Sequence, residues 1–486
     1  MSKQSYLGQK GFTIPKELIS LREQYLVKND LTVKPNVSMM VSGGGIEFPI
    51  YRESPQKLYI PRFFGEKKYG VSTSTSLKQY SKINIEFNGS LRDYQVAIVE
   101  KYINHVSNEQ GGGGLLEIGC GKGKTVMALN IISKLKVKTL IIVHKTFLLN
   151  QWVERIQQFL PSAKIGRIQG SEFDIEDKDI VIGMLQSLSM KDYPNEMFSS
   201  FGFVCVDECH HISAEVFVRS LFKCVAPYML GLSATMTRKD GLTRVFKMFL
   251  GDVIHSEKND TTREVAVRAI EYSSHDDEFN EIRLDYRGNP LYSCMISKLC
   301  DHGSRTELIL DVLKDVLSEN SNQQIIMLAH NKSILIYIYE AIRSRVIAGG
   351  SVGFYVGGMK EKDLKLSESC KVILATYSMA AEALDIKTLT TLFLLTPKTD
   401  VQQAVGRILR TKDNDPLVVD FVDTHGIFQN QWKKRKTFYN KQNYKIYYIT
   451  KDKYIENGRF TGTNTNWKNL SSKSNTIKKP AKSLFS

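Results

Sequence analysis

The stretch from residue 115 to 127, L-L-E-I-G-C-G-K-G-K-T-V-M, constrains the fold more than any other part of the chain. Its apolar start predicts a buried strand, its three glycines within five positions predict a loop with unusual backbone angles, and a helix is predicted from Thr125 onward. In such a unit the backbone N–H groups of the loop and of the helix N-terminus point at a phosphate group. We therefore expect Lys124 to contact the β- and γ-phosphates of a nucleotide and the Thr125 hydroxyl to hold Mg²⁺. Ile118 stands where the strict phosphate-loop pattern has glycine, so the segment matches a looser form of that pattern. The alternative interpretation is a glycine-rich turn that binds no ligand.

Length and composition allow an ordinary enzyme of several domains. A chain of 486 residues predicts about three domains, and a hydrophobic content of 42% is enough for sizeable cores. The first residues show no apolar run behind their charges, and no stretch of ~18 apolar residues occurs, which argues against a signal peptide and a membrane span. We expect the protein to act inside a cell or in a particle assembled in one, without a membrane partner.

The seven cysteines are odd in number and scattered, which predicts reduced thiols. The most zinc-like cluster consists of Cys205, Cys209, His210 and His211. It lacks a C-x₂-C pair and coincides with an acidic strand end, so zinc binding is the second interpretation of this segment.

The net charge of +15 comes from the two ends of the chain. Residues 428–486 carry 14 Lys and Arg against 2 Asp and Glu, residues 1–90 carry 13 against 7, and the part between them is slightly acidic. A basic end attracts polyphosphate and makes binding sensitive to salt. It is just as often a solubilising tail, and both interpretations stay open.

The alternation of apolar and polar segments and the changes in composition predict five parts of the chain. They are an N-terminal accessory region (1–90), a first α/β unit (91–255), a polar linker (256–305), a second α/β unit (306–427) and a basic tail (428–486) that is disordered from Gly458 onward. In both α/β units, near-continuous apolar runs alternate with helical segments, which indicates parallel sheets covered on both faces.

The accessory region is the hardest part to interpret. A helix is expected over residues 15–26, and residues 48–65 interleave aromatic side chains with Arg and Lys. Such interleaving can stack on bases and pair with phosphates, so nucleic-acid binding is one interpretation. A small β-rich domain whose aromatics form a core is the other, because aromatics favour strands.

A second strong signal is F-V-C-V-D-E-C-H-H at residues 203–211. An apolar strand that ends in Asp207 and Glu208 places two carboxylates at the carboxyl edge of a parallel sheet, where ligands of such folds bind. In phosphoryl transfer one carboxylate holds Mg²⁺ and the other orients and deprotonates the attacking water. We assign Asp207 to the metal and Glu208 to the water. The alternative for an isolated acidic pair is a loop or a helix N-cap.

The order of motifs from Leu91 to Asp423 resembles superfamily-two helicases, and among them the XPB-like and poxvirus transcript-release group. L-R-D-Y-Q at 91–95 is similar to the adenine-reading segment of that family, I-G-C-G-K-G-K-T at 118–125 to motif I and D-E-C-H at 207–210 to motif II. S-A-T at 233–235 is similar to motif III and Q-A-V-G-R-I-L-R at 403–410 to motif VI. The resemblance implies an α/β fold of two tandem RecA-like parallel-sheet lobes.

The resemblance also implies ATP and Mg²⁺ as cofactors and assigns roles to individual residues. The implied ATP-binding residues are Arg92, Gln95, Ile118, Gly119, Cys120, Gly121, Lys122, Gly123, Lys124, Thr125 and Asp385. The implied catalytic residues are Asp207, Glu208, His210, Gln403, Arg407 and Arg410, with Thr125 and Asp207 as metal ligands. The residues implied to couple hydrolysis to movement are Ser233, Ala234, Thr235, Arg238 and Asp240.

Motif VI also makes physical sense without the resemblance. On a helix, Arg407 and Arg410 are three positions apart, so both are expected on one face, where they can approach the same γ-phosphate. Arginines in this role stabilise transition-state charge in nucleotide hydrolases. Taken alone, such a pair is more often a solvated basic face.

Contacts to a nucleic-acid strand are implied for a further set: Thr146, Gln169, Gly170, Gln186 and Ser187 in the first lobe and Thr376 in the second. Contacts to phosphate and sugar carry no base information, so binding independent of base sequence is expected. For each of these residues a strand end or a helix cap is the alternative.

The sequence therefore predicts a nucleic-acid-stimulated ATPase that tracks along DNA, 3′ to 5′, in transcript release or repair. Its expected partners are the nucleic acid, DNA, and a protein partner, which is RNA polymerase or the transcription machinery. Its expected location is the cytoplasm, the nucleus or the viral factory of a large DNA virus, or the virion. An RNA helicase is the first alternative, and a non-catalytic nucleic-acid-binding scaffold is the second. Lys239 and Ala383 depart from the pattern of XPB-like relatives, at positions that concern strand separation.

Overall fold

The computed structural model describes residues 4–34, 47–72, 74–107, 111–119, 121–209, 214–234, 243–256, 264–382, 386–409, 415–460 and 466–471. The chain divides into two compact units, Met1–Lys258 and Asn259–Ser486. The cysteines in the described ranges are free thiols. None of the helices in these ranges combines the length and the apolar character that a bilayer crossing requires.

The first unit begins with a small β-rich region. Its elements are β1 (Tyr6–Gly8), β2 (Gly11–Pro15), α1 (Leu21–Asp30), β3 (Thr32–Val33), β4 (Phe48–Pro49), β5 (Arg52–Glu53), β6 (Lys57–Ile60) and α2 (Arg62–Tyr69). Four of the strands form an antiparallel sheet in the order β1-β2-β6-β5. The helix expected over residues 15–26 begins later, at Leu21, because the Ser20 hydroxyl accepts the Glu23 N–H as an N-cap.

The interleaved aromatic and basic side chains of this region contact one another or the rest of the first unit. Arg52 lies over the ring of Phe222, 5.0 Å from its centroid. Arg62 is buried and donates to the carbonyl oxygens of Ala226 and Pro227 at 3.2 and 2.6 Å. These contacts favour the interpretation as a β-rich accessory domain that packs on the rest of its unit, whereas nucleic-acid binding by this region stays a prediction.

The remainder of the first unit alternates strands and helices. Its elements are α3 (Asp93–Val106), β7 (Gly113–Glu117), α4 (Lys124–Leu135), β8 (Thr139–Val143), α5 (Thr146–Phe159), β9 (Ile165–Gln169), β10 (Glu172–Phe173), β11 (Ile180–Met184), α6 (Leu185–Met190), β12 (Phe203–Val206), α7 (Ala214–Leu221), β13 (Tyr228–Ser233), α8 (Thr243–Leu250) and β14 (Val253–Ser256). The strands form one sheet in the order β10-β9-β11-β8-β12-β13-β7-β14, parallel except for β10.

Both faces of this sheet are covered, as its continuous apolar strands predict. In β12, Val204 and Val206 belong to a hydrophobic cluster that includes the N-terminal region, whereas Phe203 and Cys205 belong to a second cluster that includes α3, α4 and α5. Alternate residues of a strand point to opposite faces, so a strand buried on both sides must be apolar at every position.

The second unit has the same alternation. Its elements are β15 (Ala266–Tyr272), α9 (Asp277–Asn280), α10 (Tyr292–Asp301), α11 (Gly303–Glu319), β16 (Gln324–Ala329), α12 (Lys332–Ser344), β17 (Val352–Tyr355), α13 (Glu361–Glu368), β18 (Val372–Thr376), α14 (Tyr377–Glu382), β19 (Leu389–Leu394), α15 (Gln402–Arg407), β20 (Leu417–Asp423), α16 (Gly426–Lys441), β21 (Lys445–Thr450), α17 (Lys451–Asn457) and β22 (Lys468–Asn469). The strand order is β17-β18-β16-β19-β20-β15-β21-β22, parallel except for β22. The predicted α/β class with two mostly parallel sheets is therefore confirmed.

Residues 264–305, the described part of the linker that the sequence predicts over 256–305, belong to the second unit. Strand β15 lies inside the second sheet and pairs in parallel with both β20 and β21. Helix α10 buries Met295, Ile296 and Leu299. The prediction is wrong because Arg268 and Glu271 interrupt the apolar residues of A-V-R-A-I-E-Y, and polar segments on either side hide the strand.

The predicted basic tail is also folded where the structure describes it, at 428–460 and 466–471. Helix α16 buries Phe428, Trp432, Arg435 and Tyr439 along one side. Strand β21 then joins the sheet beside β15. Counting charges concealed this helix, because Lys433, Lys434 and Lys441 are exposed while the buried residues recur with helical spacing.

Candidate active site

The glycine-rich segment forms the predicted strand, loop and helix. Strand β7 ends at Glu117, and α4 begins at Lys124 with Gly123 as its N-cap. Gly123 has φ +83°, and a Cβ atom there would lie 2.4 Å from Gln95 Nε2. The left-handed backbone conformation therefore favours glycine at this position, whereas the approach to Gln95 involves the free end of a flexible side chain.

Lys124 and Glu208 meet at the carboxyl edge of the first sheet. Strands β7 and β12 both flank β13, which places the loops that follow them close together. Lys124 Nζ lies 2.5 Å from Glu208 Oε1, and both side chains are largely buried. Glu208 has φ +47°, a left-handed conformation that is uncommon for a residue with a side chain. The turn after β12 thus holds this carboxylate against the phosphate-loop lysine.

Asp207 is buried at the end of β12, with 6% of its surface exposed. Its Oδ1 accepts the backbone N–H of Glu208 at 2.9 Å, and its Oδ2 accepts the indole N–H of Trp152 at 2.8 Å. Burial, and then the charge of Glu208, raise the pKa of Asp207 to about 6. A divalent cation would stabilise the ionised carboxylate in this position, and carboxylate and hydroxyl oxygens are the ligands that Mg²⁺ prefers. Asp207 therefore fits the role of a Mg²⁺ ligand, and Thr125, the second residue of α4, stays the predicted second ligand.

The predicted adenine-reading segment contacts the phosphate loop. Gln95 Oε1 accepts the Arg92 N–H at 3.0 Å, and Gln95 Nε2 donates to the Lys122 carbonyl at 3.0 Å. The same carbonyl accepts the hydroxyl of Tyr94 at 3.0 Å. Tyr94 was not among the predicted residues, although its place beside Gln95 in the same segment would have pointed to it.

Ile118 and Ser233 have structural contacts that limit their part in nucleotide binding. The Ile118 side chain is fully buried, and its N–H donates to the Ser233 carbonyl at 2.9 Å. The side chain and the amide of Ile118 are therefore engaged within the protein, and the ATP contact of this residue stays a prediction. The same bond joins the strand of the phosphate loop to the predicted motif III, where Ala234 is also buried.

The strand-contact residues predicted in the first lobe lie together. Gln169 Nε2 donates to Thr146 Oγ1 at 3.2 Å, and the Gly170 N–H donates to Ser187 Oγ at 2.9 Å. Gln186 is exposed beside Ser187. We call these five residues the strand cluster. Lys191 donates to the Gly170 carbonyl and adds a positive charge that the sequence analysis missed.

In the second unit, the predicted residues sit at the ends of strands and helices. Thr376 ends β18 and is only 9% exposed, with its hydroxyl 3.2 Å from that of Ser378, which is exposed. Ser378 rather than Thr376 therefore presents a hydroxyl to solvent. Gln403 and Arg407 lie on α15, and Arg407 Nε donates to the Ala380 carbonyl at 3.1 Å.

Helix α15 ends at Arg407, so the predicted i, i+3 pair is not formed within it. Seven predicted residues lie outside the described ranges: Cys120, His210, Thr235, Arg238, Asp240, Asp385 and Arg410. His211 of the zinc interpretation lies there as well, and no group of three or more His, Cys, Asp or Glu side chains within the described ranges is arranged to hold a metal ion.

Trp152 is the most important residue that the sequence analysis missed. It lies on the buried stripe of α5 with Leu148, Leu149 and Ile156. A buried indole needs an acceptor for its N–H, so a tryptophan on a predicted buried stripe is a detectable signal for a polar partner. Which residue accepts the Trp152 N–H depends on the order of strands in the sheet, which the sequence does not reveal; in the structure it is Asp207.

Comparison with known proteins shows the family of this chain. The family model "Type III restriction enzyme, res subunit" matches residues 88–238. The chain is 35% identical over 463 residues to the "Putative ATP-dependent RNA helicase" of Acanthamoeba polyphaga mimivirus, covering 91% of this chain and 88% of that protein. It is 26% identical over 441 residues to a protein of the same description from a Kenyan isolate of African swine fever virus, covering 86% and 84%.

A solved structure shows the same fold. S. cerevisiae Dbp5 bound to RNA and ADP BeF3 covers 74% of this chain and 90% of its own, with a TM-score of 0.50 and 13% identity. At this identity the likeness concerns the fold alone, and it agrees with the two RecA-like lobes that the sequence predicts.

Proposed function

Because this chain belongs to the superfamily-two helicases of large DNA viruses, we propose that its ATPase drives movement along DNA with 3′ to 5′ polarity. The proposed result of this movement is strand separation or the release of a transcript from RNA polymerase, with a role in repair as a further outcome. One observation carries the proposal: the phosphate-loop Lys124 contacts Glu208 beside the buried Asp207, in the unit that also holds the strand cluster.

The roles we propose follow from these contacts. Asp207 and Thr125 would hold Mg²⁺, which neutralises phosphate charge when it is bound. Lys124 exchanges the Glu208 carboxylate for phosphate oxygens when ATP binds. Glu208 then orients a water molecule and accepts its proton. Arg407 and Arg410 are proposed to stabilise the charge that develops on the γ-phosphate.

The test of the chemistry is Glu208→Gln. Loss of the general base should lower ATP turnover by roughly 10² to 10⁴ while ATP binding is retained. Glu100→Gln, an exposed acid on α3, is the matched control and should leave turnover unchanged. Wild-type turnover in the Glu208 variant would refute the assignment.

The test of the substrate is the stimulation of ATPase activity by single-stranded DNA, duplex DNA and RNA at one salt concentration. The DNA motor predicts greater stimulation by DNA. An RNA helicase is the second candidate, because the two viral relatives are described as RNA helicases. Greater stimulation by RNA would establish that candidate, and no hydrolysis with any strand would indicate a scaffold.

A further inference from the structure

The Asp207 carboxylate is oriented from two directions. The N–H of Glu208 comes from the turn that Asp207 itself begins, whereas the indole of Trp152 comes from a different element, α5. Both donors are neutral, so they set the direction of the carboxylate without supplying the positive charge that a metal ion would bring. In metal sites, such outer donors hold a ligand in the geometry that the metal needs.

Trp152 cannot change its position independently of its helix. Its side chain is 1% exposed, and it packs in the hydrophobic cluster that also contains Leu148, Leu149 and Ile156 of α5. Interiors are close-packed, so a buried indole has few other orientations available. The direction of the Asp207 carboxylate therefore depends on where α5 lies against the sheet.

The same helix begins in the strand cluster. Thr146 is the first residue of α5, and its hydroxyl accepts the Gln169 side-chain amide. Thr146 and Trp152 are six positions apart, which corresponds to about 9 Å along the helix axis. One rigid element thus touches the proposed strand contacts at one end and the proposed metal ligand further along.

We propose that Trp152 is a positioning residue that orients the Asp207 carboxylate for Mg²⁺ and ties the metal site to the strand cluster through α5. The inference rests on the proposed function, because that function assigns the metal to Asp207. Binding at two coupled sites is reciprocal. A strand bound at the cluster should therefore tighten metal-nucleotide binding, and metal-nucleotide binding should tighten strand binding by the same factor.

The first experiment compares Trp152→Phe with wild type in the full chain. Phenylalanine keeps an aromatic ring in the core and removes the N–H. We expect Mn²⁺ to bind the ADP complex about tenfold more weakly in the variant, measured by the electron paramagnetic resonance signal of free Mn²⁺. Binding of a fluorescent ADP analogue without metal should be unchanged. The control is Trp467→Phe, which removes an indole N–H that donates to the Gly458 carbonyl, and it should change neither affinity.

Two results would overturn the positioning role. One is equal Mn²⁺ affinity in Trp152→Phe and wild type. The other is an equal loss of nucleotide binding with and without metal, because that pattern would show a general defect of the fold. If wild type itself binds no Mn²⁺ in its ADP complex, the proposed function fails and not only this inference.

The second experiment repeats the Mn²⁺ titration with an oligothymidylate single strand present. We expect the strand to tighten Mn²⁺ binding in wild type and in Trp467→Phe, and to have no such effect in Trp152→Phe. If the strand has the same effect in all three proteins, or no effect in wild type, α5 does not couple the two sites through this hydrogen bond.

Discussion

The two α/β units bury carboxylates in different ways. In the first unit, the Asp207 carboxylate accepts hydrogen bonds from neutral donors. In the second unit, Asp423 accepts two hydrogen bonds from Arg305 and Asp420 accepts two from Arg435, and all four side chains are almost fully buried. Each of these pairs joins β20 to a helix, α11 or α16.

The difference teaches what each arrangement can do. A bidentate guanidinium both neutralises a carboxylate and satisfies its lone pairs, which leaves little reason for another cation to bind there. Neutral donors fix the direction of the Asp207 carboxylate without neutralising it, and the nearby Lys124 is paired with Glu208, so a bound cation would still stabilise this carboxylate. We call Arg305–Asp423 and Arg435–Asp420 closed pairs, because a guanidinium already neutralises each carboxylate. We call Asp207 the open carboxylate, because its hydrogen-bond donors are neutral and a cation can still bind there.

The largest effect is expected when one partner of a closed pair is removed. Arg305→Met leaves the Asp423 carboxylate buried without its guanidinium and should destabilise the second unit by about 3 to 5 kcal/mol. Hydrogen exchange of the β20 amides measures the loss, because it reports on that unit separately.

The double variant Arg305→Met with Asp423→Leu sharpens this prediction. Replacing both charges by apolar groups of similar volume is often close to neutral, so most of the lost protection should return. A double variant as unstable as the single one would show that Arg305 acts mainly through its third hydrogen bond, to the Leu395 carbonyl at 2.8 Å.

The open carboxylate should respond to pH. Burial and the charge of Glu208 raise the pKa of Asp207 to about 6, so the metal-free protein protonates this ligand as pH falls through that value. A metal ligand must be deprotonated, and Mg²⁺ affinity should therefore fall by up to tenfold for each pH unit below about 6. ATPase activity measured against pH at several Mg²⁺ concentrations checks this. The midpoint should move to lower pH as Mg²⁺ rises, and a midpoint that does not respond to Mg²⁺ would contradict the assignment.

The same contrast explains what the sequence could predict. The phosphate loop and the apolar strands are continuous in sequence, and local pattern predicted them. Trp152 and Asp207 are 55 positions apart and meet only because of strand order, which no local pattern encodes. The linker and tail predictions were wrong for a related reason, since β15 and β21 are neighbours in the sheet but far apart in the chain.

The basic residues of the second unit offer a smaller test. Lys433, Lys434 and Lys441 are exposed on α16. Because Phe428 and Trp432 of this helix are buried, truncation would damage the fold, and substitution is the better experiment. Changing the three lysines to Gln should reduce the salt dependence of single-strand binding by up to about 2 in the log–log slope if all three contact phosphates. Changing them to Arg keeps the charge and should keep the slope. An unaltered slope in the Gln variant would assign these lysines to solubility.

The smallest effect is expected at an exposed ion pair of the second unit. Arg345 donates to both Glu307 carboxylate oxygens at 2.6 and 2.9 Å, the same bidentate form as the buried pairs, but each side chain is 40% exposed. Arg345, and then the hydroxyl of Tyr337, lower the pKa of Glu307 to about 2. The ion pair therefore contributes to stability at higher pH, and this contribution is lost as pH falls through that value. Water screens an exposed pair, so Arg345→Ala should lower the melting temperature at neutral pH by no more than about 2 °C, and by less at acidic pH. A loss as large as that of Arg305→Met would mean that bidentate geometry, and not burial, sets the strength of these pairs, and the comparison between closed and open carboxylates would have to be abandoned.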